Sequence, residues 1–279
     1  IVTPNYQIND NGYFYFEGIE RPWRDHNFAR GGHGDGVNLS KAIIESCNIY
    51  FYGLGIKTGI DLLSNYGLQF GLGAKTGIDM PGERPGIMPN RAWKKGAHGQ
   101  SWFNGDTINT SIGQGFMLTT PLQLAVMSAR IASRGDVRAP RLVKSINGIE
   151  QTATQVATNI DIDTDHWDYM HQAMQDVVHS RRGTARSINI ELDYKIAGKT
   201  GTAQAISIDA EDKYDSSKLN KNQWDHALFI AFAPVKDTKI AIGLIVENGE
   251  HGGSSAAPIA RAVFDAYMAS QESVTLVTK

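Results

Sequence analysis

The sequence predicts a mixed α/β fold of the α+β type, an antiparallel sheet covered by helices. Three observations carry this. Helical periodicity fills the middle of the chain, strand-like runs gather towards the end, and a tight Pro-containing link joins two of those runs. A chain of 279 residues, 41% apolar and 20% charged, is long enough to bury a substantial core.

The elements follow in order. The first forty residues are rich in Gly, Asn, Asp and aromatics and read as irregular loop, with short strands around Tyr13 to Phe16. Asn38 or Ser40 starts a helical region whose apolar side is Ile43, Ile44, Cys47, Phe51 and Leu54. A second helix covers Ile60 to Phe70, and from Gly71 to Leu118 turns dominate. Thr120 as N-cap, Pro121 at the first helical position and Gly135 past the end delimit another helix. The next runs from Asp163 or Thr164 to Ser180, burying Trp167, Met170, Met174 and Val177 or Val178. Strands are expected at Tyr194 to Ala203, His226 to Ala233 and Lys239 to Glu247, the last two joined by a hairpin at Pro234 to Thr238. Ile206 to Gln223 reads as an exposed polar loop, and a final helix covers Ser255 to Ala269.

Charge and composition exclude several classes. A net charge of −2 with scattered basic residues gives no footprint for nucleic acid; Arg181-Arg182 and Lys218 to Lys221 are too short to make one. No stretch approaches the roughly 20 apolar residues of a membrane span. The single cysteine, Cys47, excludes an internal disulfide. The chain opens at Ile1 with neither an initiator methionine nor a signal-peptide pattern, as an excised fragment would.

Lys199-Thr200-Gly201-Thr202 is the most informative segment. It lies on the edge of an expected strand, where a lysine, hydroxyls and an open backbone can pair with a peptide and hold its carboxylate. The same Lys-Thr-Gly occurs at Lys57-Thr58-Gly59 and Lys75-Thr76-Gly77, but those copies fall at helix ends and turns with no strand leading in. Only the third has the context for chemistry. Ser46-Cys47-Asn48 offers a hydroxyl and an amide two residues apart, a spacing that suits a break between helices better than a continuous one. Helix capping is the competing role for Asn48.

Together these motifs resemble the penicillin-recognising serine acyltransferases. Ser46-Cys47-Asn48 matches their second motif, Ser-x-Asn, and Lys199-Thr200-Gly201 their third, in the right order and 153 residues apart. Gly105-Asp106-Thr107, Ser111-Ile112-Gly113-Gln114-Gly115 and Thr119-Thr120-Pro121-Leu122-Gln123 resemble the segment between them. Arg24-Asp25-His26, Gly32-His33-Gly34 and Asp225-His226-Ala227-Leu228 are similar to the elongation-type class B branch of Gram-negative bacteria, penicillin-binding protein 2. The resemblance covers nearly the whole chain and implies a penicillin-binding transpeptidase fold like that of the serine β-lactamases. The first motif, Ser-x-x-Lys, occurs nowhere in these residues; residues 1–279 are thus expected to be a transpeptidase domain lacking the N-terminal part that carries it.

The resemblance also implies roles. Ser46 would relay a proton to the leaving amine and Asn48 would hold a substrate backbone group. Lys199 would supply positive charge. Thr200 and Thr202 would bind the carboxylate of a D-alanyl terminus or a β-lactam, with Gly201 between them. The Thr202 N–H would supply half of an oxyanion hole. Asp106, Thr107 and Gln114 are candidates to shape the cleft, and Trp102, Trp224 and Tyr214 to line it. Expected partners are peptidoglycan stem peptides, β-lactams and a glycosyltransferase of the SEDS family. The expected location is the periplasmic face of the bacterial inner membrane, reached through an N-terminal anchor outside this chain. A division-type transpeptidase, a serine β-lactamase and a nucleophile-less binding module are the rival readings.

A metal site is a separate expectation. Asp25, His26 and His33 lie on the loop leading into the helix that carries Cys47. Thiolate, imidazole and carboxylate suit a structural zinc, with Asp25, His33 and Cys47 as ligands. A fourth ligand could be Asp10, Asp35 or an upstream carboxylate. The competing reading is an inert buried thiol.

Overall fold

The computed structural model describes residues 1–152, 159–206 and 214–277. Four short strands open the chain: β1 (Ile8–Asp10), β2 (Tyr13–Phe16), β3 (Ile19–Arg24) and β4 (Gly34–Val37). They form two antiparallel pairs, β1 with β4 and β2 with β3. Helices α1 (Leu39–Glu45), α2 (Asn48–Thr58) and α3 (Ile60–Gln69) follow, then α4 (Arg91–His98), α5 (Asn104–Thr110) and α6 (Pro121–Ala132). The small hairpin β5 (Ser145–Ile146) and β6 (Ile149–Glu150) precedes α7 (Thr164–His179). The main sheet is β7 (Ala197–Ala203), β8 (His226–Ala233) and β9 (Ile240–Val246), and α8 (Ala257–Val277) ends the described chain.

The main sheet is antiparallel with order β7-β8-β9, so β7 is an edge. Alternation along β8 divides its side chains between two packing clusters. Phe229 joins Val177 and Val178 of α7 with Ala257, Ala260 and Phe264 of α8. Phe232 and Ile230 join Met170 and Met174 of α7 with Ile131 and Ala132 of α6. α6 lies close on β9 because Gly243 carries no side chain: a Cβ there would stand 2.7 Å from the Pro121 carbonyl. A separate cluster of Val37, Ala42, Ile49, Tyr50, Tyr52 and Ile108 knits β4, α1, α2 and α5 together.

The expected helices at 60–70, 120–135 and 163–180 correspond to α3, α6 and α7, and Thr120 caps α6 by accepting from the Gln123 N–H at 3.1 Å. Three expectations need correction. The strand predicted from Tyr194 begins only at Ala197, because Tyr194 instead donates to Asp265 (2.7 Å) and the Ile196 N–H goes to His179 (3.2 Å). The turn-rich stretch from Gly71 to Leu118 contains α4 and α5; Asn90 caps the first, and Asp106 reaches back to the Phe103 N–H at the start of the second. The last helix begins after a wide turn at Gly252–Ala256 and runs past Ala269. Residues 207–213 of the polar loop expected from Ile206 to Gln223 lie outside the described residues; after them, short turns at Ser216–Lys218 and Lys221–Gln223 lead into β8. Among the described residues no helix is long and apolar enough to cross a membrane.

Candidate active site and buried ligand cluster

The first wall of the site is a break between helices. Asn38 caps α1 by accepting from the Lys41 N–H at 2.9 Å. The helix ends at Ser46, whose φ of 61° puts a residue with a side chain in the left-handed region. Cys47 then caps α2, its sulfur accepting from the Tyr50 N–H at 3.5 Å, so Asn48 is the first helical residue rather than the cap. The reversal frees the Ser46 hydroxyl from both helices.

The second wall is the edge strand β7. Lys199 reaches across to donate to Ser46 Oγ at 2.7 Å, and its ammonium also donates to the Thr200 carbonyl at 2.8 Å. Burial without a carboxylate partner lowers the Lys199 pKa to about 8. The Thr200 hydroxyl is fixed by that of Thr184 at 2.7 Å. Gly252 packs on the backbone of Gly201 and Leu228 so closely that a Cβ would collide with both carbonyls. That contact sets the depth of the strand.

Between the walls lies a cavity of about 1050 Å³ whose lining includes Ser46, Asn48, Lys199, Thr200, Gly201 and Thr202. His26, Ser111, Gln114, Thr184, Arg186 and His251 add to its polar lining. The Gln114 amide donates across the cleft to the Thr202 carbonyl at 3.0 Å. Of the residues expected to shape the cleft, only Gln114 reaches it. Asp106 is held by Lys94 at 2.5 Å, and Thr107 is buried, accepting from Trp102 at 2.8 Å. Trp224 donates to the Ser216 carbonyl and Tyr214 accepts from the Asp225 N–H, both away from the lining. Thr184, Arg186 and His251 give no signal in sequence, since Thr184 and His251 stand in loop or turn and Arg186 opens a three-residue 3-10 helix, with no motif around any of them.

The other two Lys-Thr-Gly copies have structural settings. Lys57-Thr58 ends α2 and Gly59 follows with φ 73°. Thr76 and Gly77 wrap around Glu83, which accepts from the Thr76 N–H at 2.5 Å and its hydroxyl at 2.6 Å. Neither approaches the cleft.

Directly behind Ser46 lies a buried polar cluster. Asp10, Asp25, His33 and Cys47 bring one ligand atom each within 4.8 Å of one another, and all four are buried. His33 Nδ1 lies 2.8 Å from Asp10 Oδ2 and 3.5 Å from Asp25 Oδ1, and the Cys47 thiol lies 3.2 Å from Asp10 Oδ2. Burial raises the Asp10 carboxyl, but bonds from His33, Gly12 and Cys47 together hold it below its ordinary value. Burial pushes the Cys47 thiol well up. Of the fourth ligands considered, Asp10 stands in the cluster, whereas Asp35 is exposed outside it. The cluster grips the helix break from two sides. Asp25 Oδ2 accepts from the Asn48 N–H at 2.7 Å, and His33 Nε2 is 3.2 Å from the Glu45 carbonyl.

With this geometry in hand, likeness to known proteins is specific. Residues 1–265 match the family model of the penicillin binding protein transpeptidase domain. The chain is 42% identical over 265 residues to the peptidoglycan D,D-transpeptidase MrdA of Acinetobacter baumannii, covering 94% of this chain and 38% of that protein. It therefore spans about two fifths of the length of that relative. A crystal structure of Pseudomonas aeruginosa PBP2 in complex with WCK 5153 is 40% identical, with a TM-score of 0.84 over 95% of this chain and 54% of that one. A complex between PBP2 and MreC from Helicobacter pylori is 31% identical, with a TM-score of 0.79 over 96% of this chain and 46% of that one. Motifs, fold and relatives agree, and the chain belongs to the penicillin-binding protein transpeptidase family.

Proposed function

We propose that this chain is the substrate-recognising part of a peptidoglycan D,D-transpeptidase of the elongation type, with the attacking serine and its lysine in a Ser-x-x-Lys motif upstream of Ile1. The observation that supports this best is the 2.7 Å contact of Lys199 with Ser46 across the cleft. In this reading the upstream serine attacks the carbonyl of the penultimate D-alanine of a stem peptide, and the bond to the terminal D-alanine breaks. Ser46 passes a proton to the departing amine, Asn48 holds a backbone group, and the acyl group moves on to an amine of a neighbouring strand. Lys199, Thr200 and Thr202 anchor the terminal carboxylate beside Gly201. The Thr202 N–H faces the developing oxyanion, a donor whose removal costs roughly a hundred- to a thousandfold in rate.

A β-lactam would acylate the same serine. The working location in this reading is the periplasmic face of the inner membrane, held by an anchor outside this chain, beside a SEDS-family glycosyltransferase. Labelling of the full-length protein with a fluorescent penicillin tests the assignment. Covalent label at a serine supports it, and absence of label favours a binding module instead.

The buried cluster is read as a structural zinc site with Asp10, Asp25, His33 and Cys47 as ligands. One sulfur, one nitrogen and two carboxylate oxygens make a four-donor set suited to zinc, closed to solvent as structural sites are. Bound there, the ion would clamp the loop carrying Asp25 and His33 against the Ser46 break, with no part in the chemistry. Elemental analysis of protein purified without added metal should give about one zinc per chain; a value near zero rejects the site.

A further inference from the structure

The edge strand β7 carries a contact that the acyl-transfer reading leaves unused. Thr202 and Ala227 are register partners in the β7–β8 pair, yet the Thr202 carbonyl accepts from Gln114 and so points away from β8, into the cleft. In an antiparallel ladder the N–H and C=O of one residue face the same side, and they exchange both bonds with a single residue of the neighbouring strand. A peptide residue whose carbonyl takes the Thr202 N–H must therefore give its own N–H to the Thr202 carbonyl. Gln114 already occupies that acceptor. A carbonyl oxygen has two lone pairs, but space is the obstacle. An inter-strand N–H···O bond is itself about 2.9 Å long, so the Gln114 nitrogen at 3.0 Å stands about where the nitrogen of an added strand would come. The next outward carbonyl along β7, that of Thr200, is taken by the Lys199 ammonium.

We propose that Gln114 is a latch on the substrate edge: its amide ties the segment after α5 to β7 and must swing off Thr202 before a peptide can add as a strand. This deepens the transpeptidase reading and rests on it. The residue under attack supplies the N–H that replaces the Gln114 amide. Gln114 thereby sets a threshold that only a ligand with a donor at that position repays, favouring peptides over small carboxylates that reach Lys199 alone.

The test is the dissociation constant of a fluorescent N-acyl-D-alanyl-D-alanine peptide on the full-length protein, read by anisotropy. Gln114→Ala should bind it about three- to tenfold more tightly than the wild type, the scale of one net hydrogen bond. Gln114→Met keeps the length, carries no donor and adds no charge, and should also bind more tightly; it carries the test if the alanine variant melts early. A side chain that merely braced the strand would give the opposite sign, so unchanged or weaker binding in a folded variant overturns the latch. A crystal structure of the peptide-bound wild type with Gln114 still 3.0 Å from the Thr202 carbonyl overturns it as well. Failure of the transpeptidase reading looks different: the wild type itself then neither takes penicillin label nor binds the peptide.

Discussion

The Lys199–Thr202 wall of the cleft rests on Phe229, Phe264 and a layer of alanines, whereas the Ser46–Asn48 wall rests on two carboxylates, an imidazole and a thiol. Both hold a reactive side chain to within a hydrogen bond of the other. The apolar wall owes its shape to close packing, which changes little with pH or ionic composition. The polar wall depends on every buried donor and acceptor being satisfied, and it fails if one partner goes. One groove therefore has a side set by volume and a side set by charge.

The largest effect should come from breaking the apolar wall. Phe264 is fully buried, and Phe264→Ala should cost about 3–5 kcal/mol in denaturant unfolding. That loss should be equal with and without a chelator; a chelator-dependent loss would mean the two walls are one unit. Breaking the polar wall by His33→Ala removes the imidazole set between the buried Asp10 and Asp25 carboxylates and should cost about 3 kcal/mol. On the proposed zinc reading, bound zinc should fall in parallel. Third, Gly252→Ala forces a methyl group against the Gly201 and Leu228 carbonyls and should cost about 1–3 kcal/mol. On the proposed transpeptidase reading, penicillin labelling of the full-length protein should drop with it, because the strand is pushed into the cleft.

Two smaller effects sharpen the contrast. Lys199 titrates near 8 instead of 10.5. Affinity for a carboxylate-bearing peptide should therefore decline as pH rises through about 8. Stability should move the other way: between 8 and 10.5 the unfolded chain binds more protons at this lysine than the native one, so this group's contribution rises with pH across that window. A peptide affinity that stays flat to pH 10 would contradict the burial of Lys199. Last, Asn38→Ala removes the cap of α1 and should cost about 1 kcal/mol, read as a small shift in melting temperature.

Much of this was legible in the sequence, for reasons that can be named. α6 announced itself because Thr120, Pro121 and Gly135 are local signals, independent of packing. Ser46 and Lys199 were paired through family motifs, since nothing local links residues so remote. α4 and α5 are hidden because Pro89-Asn90 and Asn104-Gly105 look like turns, while their stabilising contacts, Lys94 to Asp106 and Trp102 to Thr107, run between segments. Tyr194 to Ile196 looked like strand because their side chains are partly apolar. Their partners turned out to be Asp265 and a helix terminus, which no pattern of alternation reveals. Asp10 could not be chosen over Asp35, because only the folding of β1 against β4 decides which carboxylate turns inward.

The backbone at Ser46 has an evolutionary consequence. An L-residue held at φ 61° gives up roughly 1–2 kcal/mol relative to glycine. Selection for heat resistance alone would drive position 46 to glycine, whereas the proton-relay role proposed for Ser46 would select for the hydroxyl. Directed evolution of a hardier variant thus has one tempting substitution that it must be told to avoid.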